Sequence, residues 1–413
     1  MFRRRVVRTS LVVAALAGGA GLVGGGGGVA SAASSKAPIT IALVTSVTGP
    51  AASEFASSPA GFKARIALQN AQGGVNGHKI VGLVIDDQTT NVVTAVREAL
   101  SKGALGIVSV SPLFFQAAKY PNQQGVPVTG GSFDGPEWGT QPYTNMFASD
   151  TGSVNTTYPV NTAIGNFLVA HGGNRIGTYA NGVSPSSIRS AVGAASSMVH
   201  AGGKQAVLDT SVPFGGVDFT TAALVAKQKN VNAVYAGLTD QSNFALATSL
   251  KQAGVKLKAV VLPTGYESSV VNSPVWQSLQ GYYFYSEFRP VSVPNAGTQQ
   301  MSAALQKYEN FSKSQFPAFS QYEAWLGADL MIKGIQLARP NPTQAAVIKG
   351  LRSLKSYNGN GILPNPINYS TIFGKDMPQS CGWYLLAGKT GFTPTSPNAF
   401  CGRDIPGTTT VTK

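Results

Sequence analysis

Few residues in this chain are spaced for bond-making chemistry. The adjacent acids Asp86 and Asp87 end an apolar run, so on a strand their side chains diverge; they suit turn and helix capping better than a shared metal ion. The three histidines, His78, His171 and His200, sit beside glycine-rich turns far apart in sequence and read as solvated loop residues, so no metal site is expected. No Gly-x-Ser-x-Gly elbow, no phosphate-cradling Walker loop, no Gly-x-Gly-x-x-Gly turn after a strand and no His-Glu zinc helix occurs in the sequence. No nucleophile with a base is visible, and neither an enzyme nor a cofactor is expected. The two cysteines, Cys381 and Cys401, lack the Cys-x-x-Cys spacing of redox or zinc chemistry. In an oxidising compartment they would form one stapling disulfide.

The elements that must position any site follow a regular alternation. Short apolar runs at Ile39–Val44, Lys79–Ile85, Leu105–Ser109 and Val126–Thr129 predict strands, and Ser58–Asn70 and Thr90–Leu100 between them predict helices. Pro59 just inside the first helix and Gly73-Gly74 beyond its end mark its limits. After Asp150 a second series begins, with strands at Arg175–Tyr179, Gln205–Asp209, Asn232–Tyr235 and Ala259–Leu262 separated by helices. The pattern predicts an α/β fold of two doubly wound open parallel-sheet lobes. At 413 residues the chain is long enough for two cores. Beyond Pro263 the sequence predicts a strand at Tyr282–Tyr285, long helices at Ala296–Lys313 and Gln321–Ala338, and a Gly- and Pro-rich tail with a strand at Gly382–Ala387.

The amino terminus reads as an address. Basic Met1–Arg8, apolar Leu11–Leu16 and the small-residue site Ala30-Ser31-Ala32 predict a signal peptide over residues 1–32 and an exported protein. No cysteine near that site could carry a lipid anchor. Lys and Arg number 31 against 17 Asp and Glu, a formal charge of +14. Four of those cations lie in the first eight residues, and no basic run or groove-reading motif follows, which argues against nucleic acid as a partner.

The segment "NAQGGVNGHKIVGLVIDDQTT", with Asn70, Gly73, Gly74, Asn76, Gly77, Asp86 and Asp87, resembles type I periplasmic solute-binding proteins of the leucine/isoleucine/valine-binding kind. In that family a helix ends in Asn, Gly-Gly and Asn-Gly turns follow, and the next strand ends in two acids. "TSVTGPAA" from Thr45, "GVPVTGGSFD" from Gly125 and "LQGYYFYSEFRP" from Leu279 extend the resemblance over most of the chain. It implies two interlaced lobes joined by three hinge crossings, expected near Asp150, Pro263–Glu267 and Tyr357. Lobe 1 would comprise residues 33–150 and 267–356, and lobe 2 residues 151–266 and 357–413. It further implies a monomeric carrier that delivers a small molecule to an ABC-type membrane permease, the ligand-binding part of a sensor or receptor being the alternative class.

Ligands of open α/β sheets sit beyond the carboxyl ends of the strands. On that rule, and on the family's cleft, the expected ligand contacts are Ser46, Ser111, Leu113, Phe114, Ser132, Phe133, Asp134, Asp240 and Tyr266. Where amino-acid binders of the family place Ser and Thr for the ligand carboxylate, this chain has Leu113, Phe114 and Phe115. Where they carry a Tyr and an acid in the second lobe, the alignment falls on Pro185 and near Ala245, with Asp240 an approximate substitute. An ammonium buried without an acid is costly. The expected cargo is therefore a small, mainly apolar or aromatic acid or amide, with a branched-chain or other amino acid as the alternative. The competing reading of residues 113–115 is the buried face of the element after the third strand.

Overall fold

The computed structural model describes residues 36–131, 135–138, 141–150, 157–158, 160–372, 381–406 and 409–410. The expected signal peptide and the expected contacts Ser132, Phe133 and Asp134 lie outside the described residues.

The first sheet contains β1 (Lys36–Thr45), β2 (His78–Asp86), β3 (Gly106–Val110), β4 (Val128–Gly130) and β5 (Met146–Ala148), all parallel, in the order β2-β1-β3-β4-β5. Alternation along β1 explains why both faces are covered. Ile41 and Leu43 join one apolar cluster with helices Ser58–Ala71 and Phe319–Leu337, while Ala42 and Val44 join another with helix Val92–Ser101. A strand buried on both faces is what parallel sheets require.

β6 (Thr157–Tyr158) pairs with β15 (Thr409–Thr410) in a two-residue ladder. The second sheet contains β7 (Arg175–Asn181), β8 (Lys204–Val212), β9 (Ala233–Gly237), β10 (Ala259–Leu262), β11 (Tyr283–Ser286), β12 (Cys381–Ala387), β13 (Phe392–Pro394) and β14 (Phe400–Cys401). Its parallel part runs β8-β7-β9-β10-β11, the same winding as the first sheet, and β12 to β14 add an antiparallel edge. Each sheet thus reverses its winding beside its first strand, between β1 and β3 and between β7 and β9. Those switch points are where open α/β sheets receive ligands.

Two expected lobe boundaries are corrected. Residues 267–286 do not return to the first lobe, because β11 pairs with β10 in the second sheet. The chain crosses back after Ser286, and Phe288 already belongs to the first apolar cluster. Residues 357–372 were expected in the second lobe. Tyr357, Ile362, Leu363, Ile367, Tyr369 and Ile372 instead pack in the first-lobe core, and only the segment from Cys381 joins the second sheet.

Helix Phe319–Leu337 crosses helix Ser58–Ala71 at Gly61, where an added Cβ would stand 2.1 Å from the Gln321 carbonyl oxygen. Arg65 Nε reaches Asp329 Oδ1 at 2.8 Å across the same pair. This close crossing fixes Glu323, two residues from Gly61's contact, at the lobe junction. Among the described residues no helix is long and apolar enough to cross a membrane.

Candidate functional site

The carboxyl ends of both sheets meet around a cavity of about 140 Å³. Glu54, Phe55, Pro112 and Phe319 line it from the first lobe, Asn181, Ser184, Ser187, Phe214, Tyr235 and Leu238 from the second, and Asp150 and Glu287 from the crossings. Aromatic walls with a few polar groups are the usual make-up of a small-molecule pocket.

Local sequence explains each wall. Helix Pro185–His200 starts with Pro at its first position, and the Ser184 side chain accepts from Ser187 N at 3.3 Å. That cap turns the helix's positive end toward the cavity. Ser187 Oγ also accepts from Asn181 N at 2.8 Å and donates to the Gly237 carbonyl, tying the loops after β7 and β9 together. Arg189 adds a cation on the same rim.

The acids of this region are held in two groups. Burial raises Glu54 well above the usual carboxyl range and Asp240 raises it further. Asp240 is raised by burial and then by Glu267, against hydrogen bonds from Thr264 and Gly265 N. Glu267 is raised by burial, against Ser269. In the second group, Asp150, Glu287 and Glu323 are all buried with their oxygens within 4.8 Å of one another. Burial and then Asp150 raise Glu287, opposed by Arg189. Burial pushes the nearby Tyr235 hydroxyl up to about 12.

Of the residues expected from sequence, Asp240 is buried at the edge of this site and acts on Glu54. The others described take structural positions. Ser46 Oγ donates to Asp87 Oδ1 at 2.7 Å, and Ser111 also helps to hold Asp87. Asp86 Oδ1 accepts from Val47 N and Thr48 N, so the acid pair shapes the loop after β1, as its turn-capping reading required. Leu113 is buried, and Phe114 is buried against Trp138, 6.2 Å between centroids, in the cluster outside the first sheet. The expected greasy wall is thus the buried face of its own element, and only the preceding Pro112 reaches the cavity. Tyr266 stacks on Phe316 at 4.7 Å in the second-lobe core. Its ring is taken up by that stack and by an edge contact with Phe392 at 5.1 Å.

Sequence reasoning missed Glu54, Asp150, Glu287, Arg189 and the aromatic wall of Phe55, Phe214, Tyr235 and Phe319. Asp150 and Glu287 do carry a signal, since each is an acid one or two residues past a strand end. Phe55 and Phe319 lie on helices whose orientation the sequence does not fix.

Residues 38–389 match the profile of a family described as periplasmic binding protein. The chain belongs to the periplasmic binding protein family. It is a family of solute-binding proteins that work outside the cytoplasm, so an exported solute binder is the coarse identity of this chain. The fold comparisons agree. A fatty acid ABC transporter substrate-binding protein from Thermomonospora curvata superposes with a TM-score of 0.71 at 16% identity, covering 89% of this chain and 93% of that one. A solute-binding protein of an ABC transporter from R. palustris, in complex with benzoate, gives 0.68 at 13% identity, covering 90% and 98%. A branched-chain amino acid transporter substrate-binding protein from Streptococcus pneumoniae, in complex with isoleucine, gives 0.70 at 15%, covering 89% and 100%. No curated protein sequence matches this chain.

Proposed function

We propose that this periplasmic binding protein is the solute-capturing component of an ABC-type importer: it closes its lobes on a small molecule and presents the closed form to a membrane permease. The observation that carries this reading is the cavity walled from both lobes at both switch points. A ligand touching both walls favours the closed arrangement by its differential contacts, which is how a hinge is driven. The solute has an apolar body, matched by Phe55, Phe214, Leu238 and Phe319, and one polar end, as an aromatic or aliphatic acid or an amide has. Fatty acid, benzoate and isoleucine binders share the fold at low identity, which supports a cargo of that size without choosing among them. In this reading the protein acts as a monomer whose partners are the solute and the permease.

Glu54 and Asp240 favour a second reading, an amino-acid solute. The sequence offers an ammonium only Asp240, as an approximate substitute for the family's acid; Glu54 lines the cavity as well, within reach of Asp240. A thermal-shift screen of aromatic acids, short fatty acids, amides and α-amino acids separates the two, because a ligand that binds only the folded state raises Tm. A rise with one class identifies the cargo; no rise with any of them overturns solute capture in this form.

A further inference from the structure

Asp150, Glu287 and Glu323 come from three segments that meet where the lobes join: the end of the first sheet, the crossing after β11, and helix Phe319–Leu337. They are 2%, 7% and 0% exposed, and one oxygen from each lies within 4.8 Å of the others. A cluster of acids alone would be unremarkable. Glu323 adds a separate observation: the side chain is fully buried, and the group its carboxylate oxygens face is the Asp150 carboxyl, which when ionised is itself an acceptor and leaves them without a donor among the described residues. Buried acceptors are almost always satisfied.

We propose that this junction holds a divalent cation, calcium by preference, bound by Asp150, Glu287 and Glu323. Three ionised carboxylates carry a charge of about −3. Arg189, which acts on Glu287, brings this to about −2, and one divalent ion closes the balance. Calcium takes carboxylate oxygens at about 2.3–2.6 Å, so opposite ligands in its shell stand about 4.6–5.2 Å apart, and 4.8 Å fits within that shell. Magnesium sheds its waters reluctantly and demands a near-ideal octahedron, which suits a site this dry poorly. Asp150 and Glu287 also border the cavity, giving the ion an entry path. Bound there, it ties two lobe crossings to a first-lobe helix. This goes beyond solute capture and does not depend on which solute binds.

The test uses the full chain, stripped with chelator and titrated with calcium alone. Saturating calcium raises Tm by on the order of 5 °C, and terbium gives tyrosine-sensitised emission from its place near Tyr235 and Tyr369. Glu323→Gln, which keeps the shape of the side chain, removes both responses; the surface variant Asp218→Asn retains them. Should Glu323→Gln not fold, Glu287→Gln serves in its place. No calcium response at millimolar concentration, or an equal response in Glu323→Gln, overturns the site. So does a calcium-insensitive protein that grows more stable as pH falls, because the three acids would then be sharing protons. Solute binding measured in the same samples keeps failure of the cation site distinct from failure of solute capture.

Discussion

Asp240 acts on Glu54 from the opposite lobe: the short helix Ala52–Phe55 packs against helix Asp240–Gln252, which Asp240 begins. Burial raises both carboxyl groups, and Asp240 raises Glu54 further. Two acids set across a closing cleft make its charge depend on protons, and the cargo decides which protonation state is wanted.

That dependence distinguishes the two kinds of cargo. An ammonium needs Glu54 and Asp240 ionised, so binding it releases protons and its affinity falls as pH drops through their raised pKa values. A ligand carboxylate needs them protonated as donors, so its affinity rises over the same interval. Calorimetric titration at a series of pH values upward from the ordinary carboxyl range reads the sign directly, and a flat profile would remove both acids from the binding site.

Stability of the ligand-free protein follows the same logic. Glu54 has a raised folded pKa, so its contribution is complete below the ordinary carboxyl value of 4.5 and is lost as pH climbs through the folded value. Glu54→Gln removes that loss. We expect the variant to melt roughly 2–4 °C higher at neutral pH and to match the parent near pH 4, as differential scanning calorimetry can establish.

Much of the fold was readable because its signals are local. Strands buried on both faces appear as uninterrupted apolar runs, and Pro59, Gly73 and Gly74 bracket the first helix. The site was less readable because its members are decided by which side of a loop faces inward. Pro112 reaches the cavity while its neighbours Ser111, Leu113 and Phe114 are turned into packing. Glu287 and Glu323 meet Asp150 only once three distant segments are brought together. Asp240 was legible only through the family resemblance, as an approximate substitute for an acid aligned near Ala245; in the structure it opens helix Asp240–Gln252.

At Gly61 two first-lobe helices come close together, with the Gln321 carbonyl carbon 2.9 Å from the place a Cβ would take. Backbone cannot yield as a flexible side chain can, so Gly61→Ala must push helix Phe319–Leu337 outward. The expected cost is about 1–3 kcal/mol, measured by urea unfolding. Solute affinity should weaken with it, since Phe319 on the displaced helix lines the cavity. Destabilisation without any change in affinity would show that the cleft tolerates the shift.

The Cys381–Cys401 disulfide joins β12 to β14 and closes a loop with a sequence separation of 20. Loop-closure entropy gives such a bridge about 3 kcal/mol, and the loop has contacts of its own, with Trp383 Nε1 donating to the Pro397 carbonyl at 3.3 Å. Reduction, or Cys381→Ser with Cys401→Ser, should therefore lower the free energy of unfolding by about 2–4 kcal/mol. None of the cavity's lining residues comes from β12 to β14, so affinity for the solute should change by less than about twofold while stability falls. Chemical denaturation and ligand titration on the same reduced sample measure both quantities. A parallel loss of affinity would mean that the antiparallel edge holds the second-lobe wall of the cleft in place through β11, which it pairs along Tyr283–Ser286.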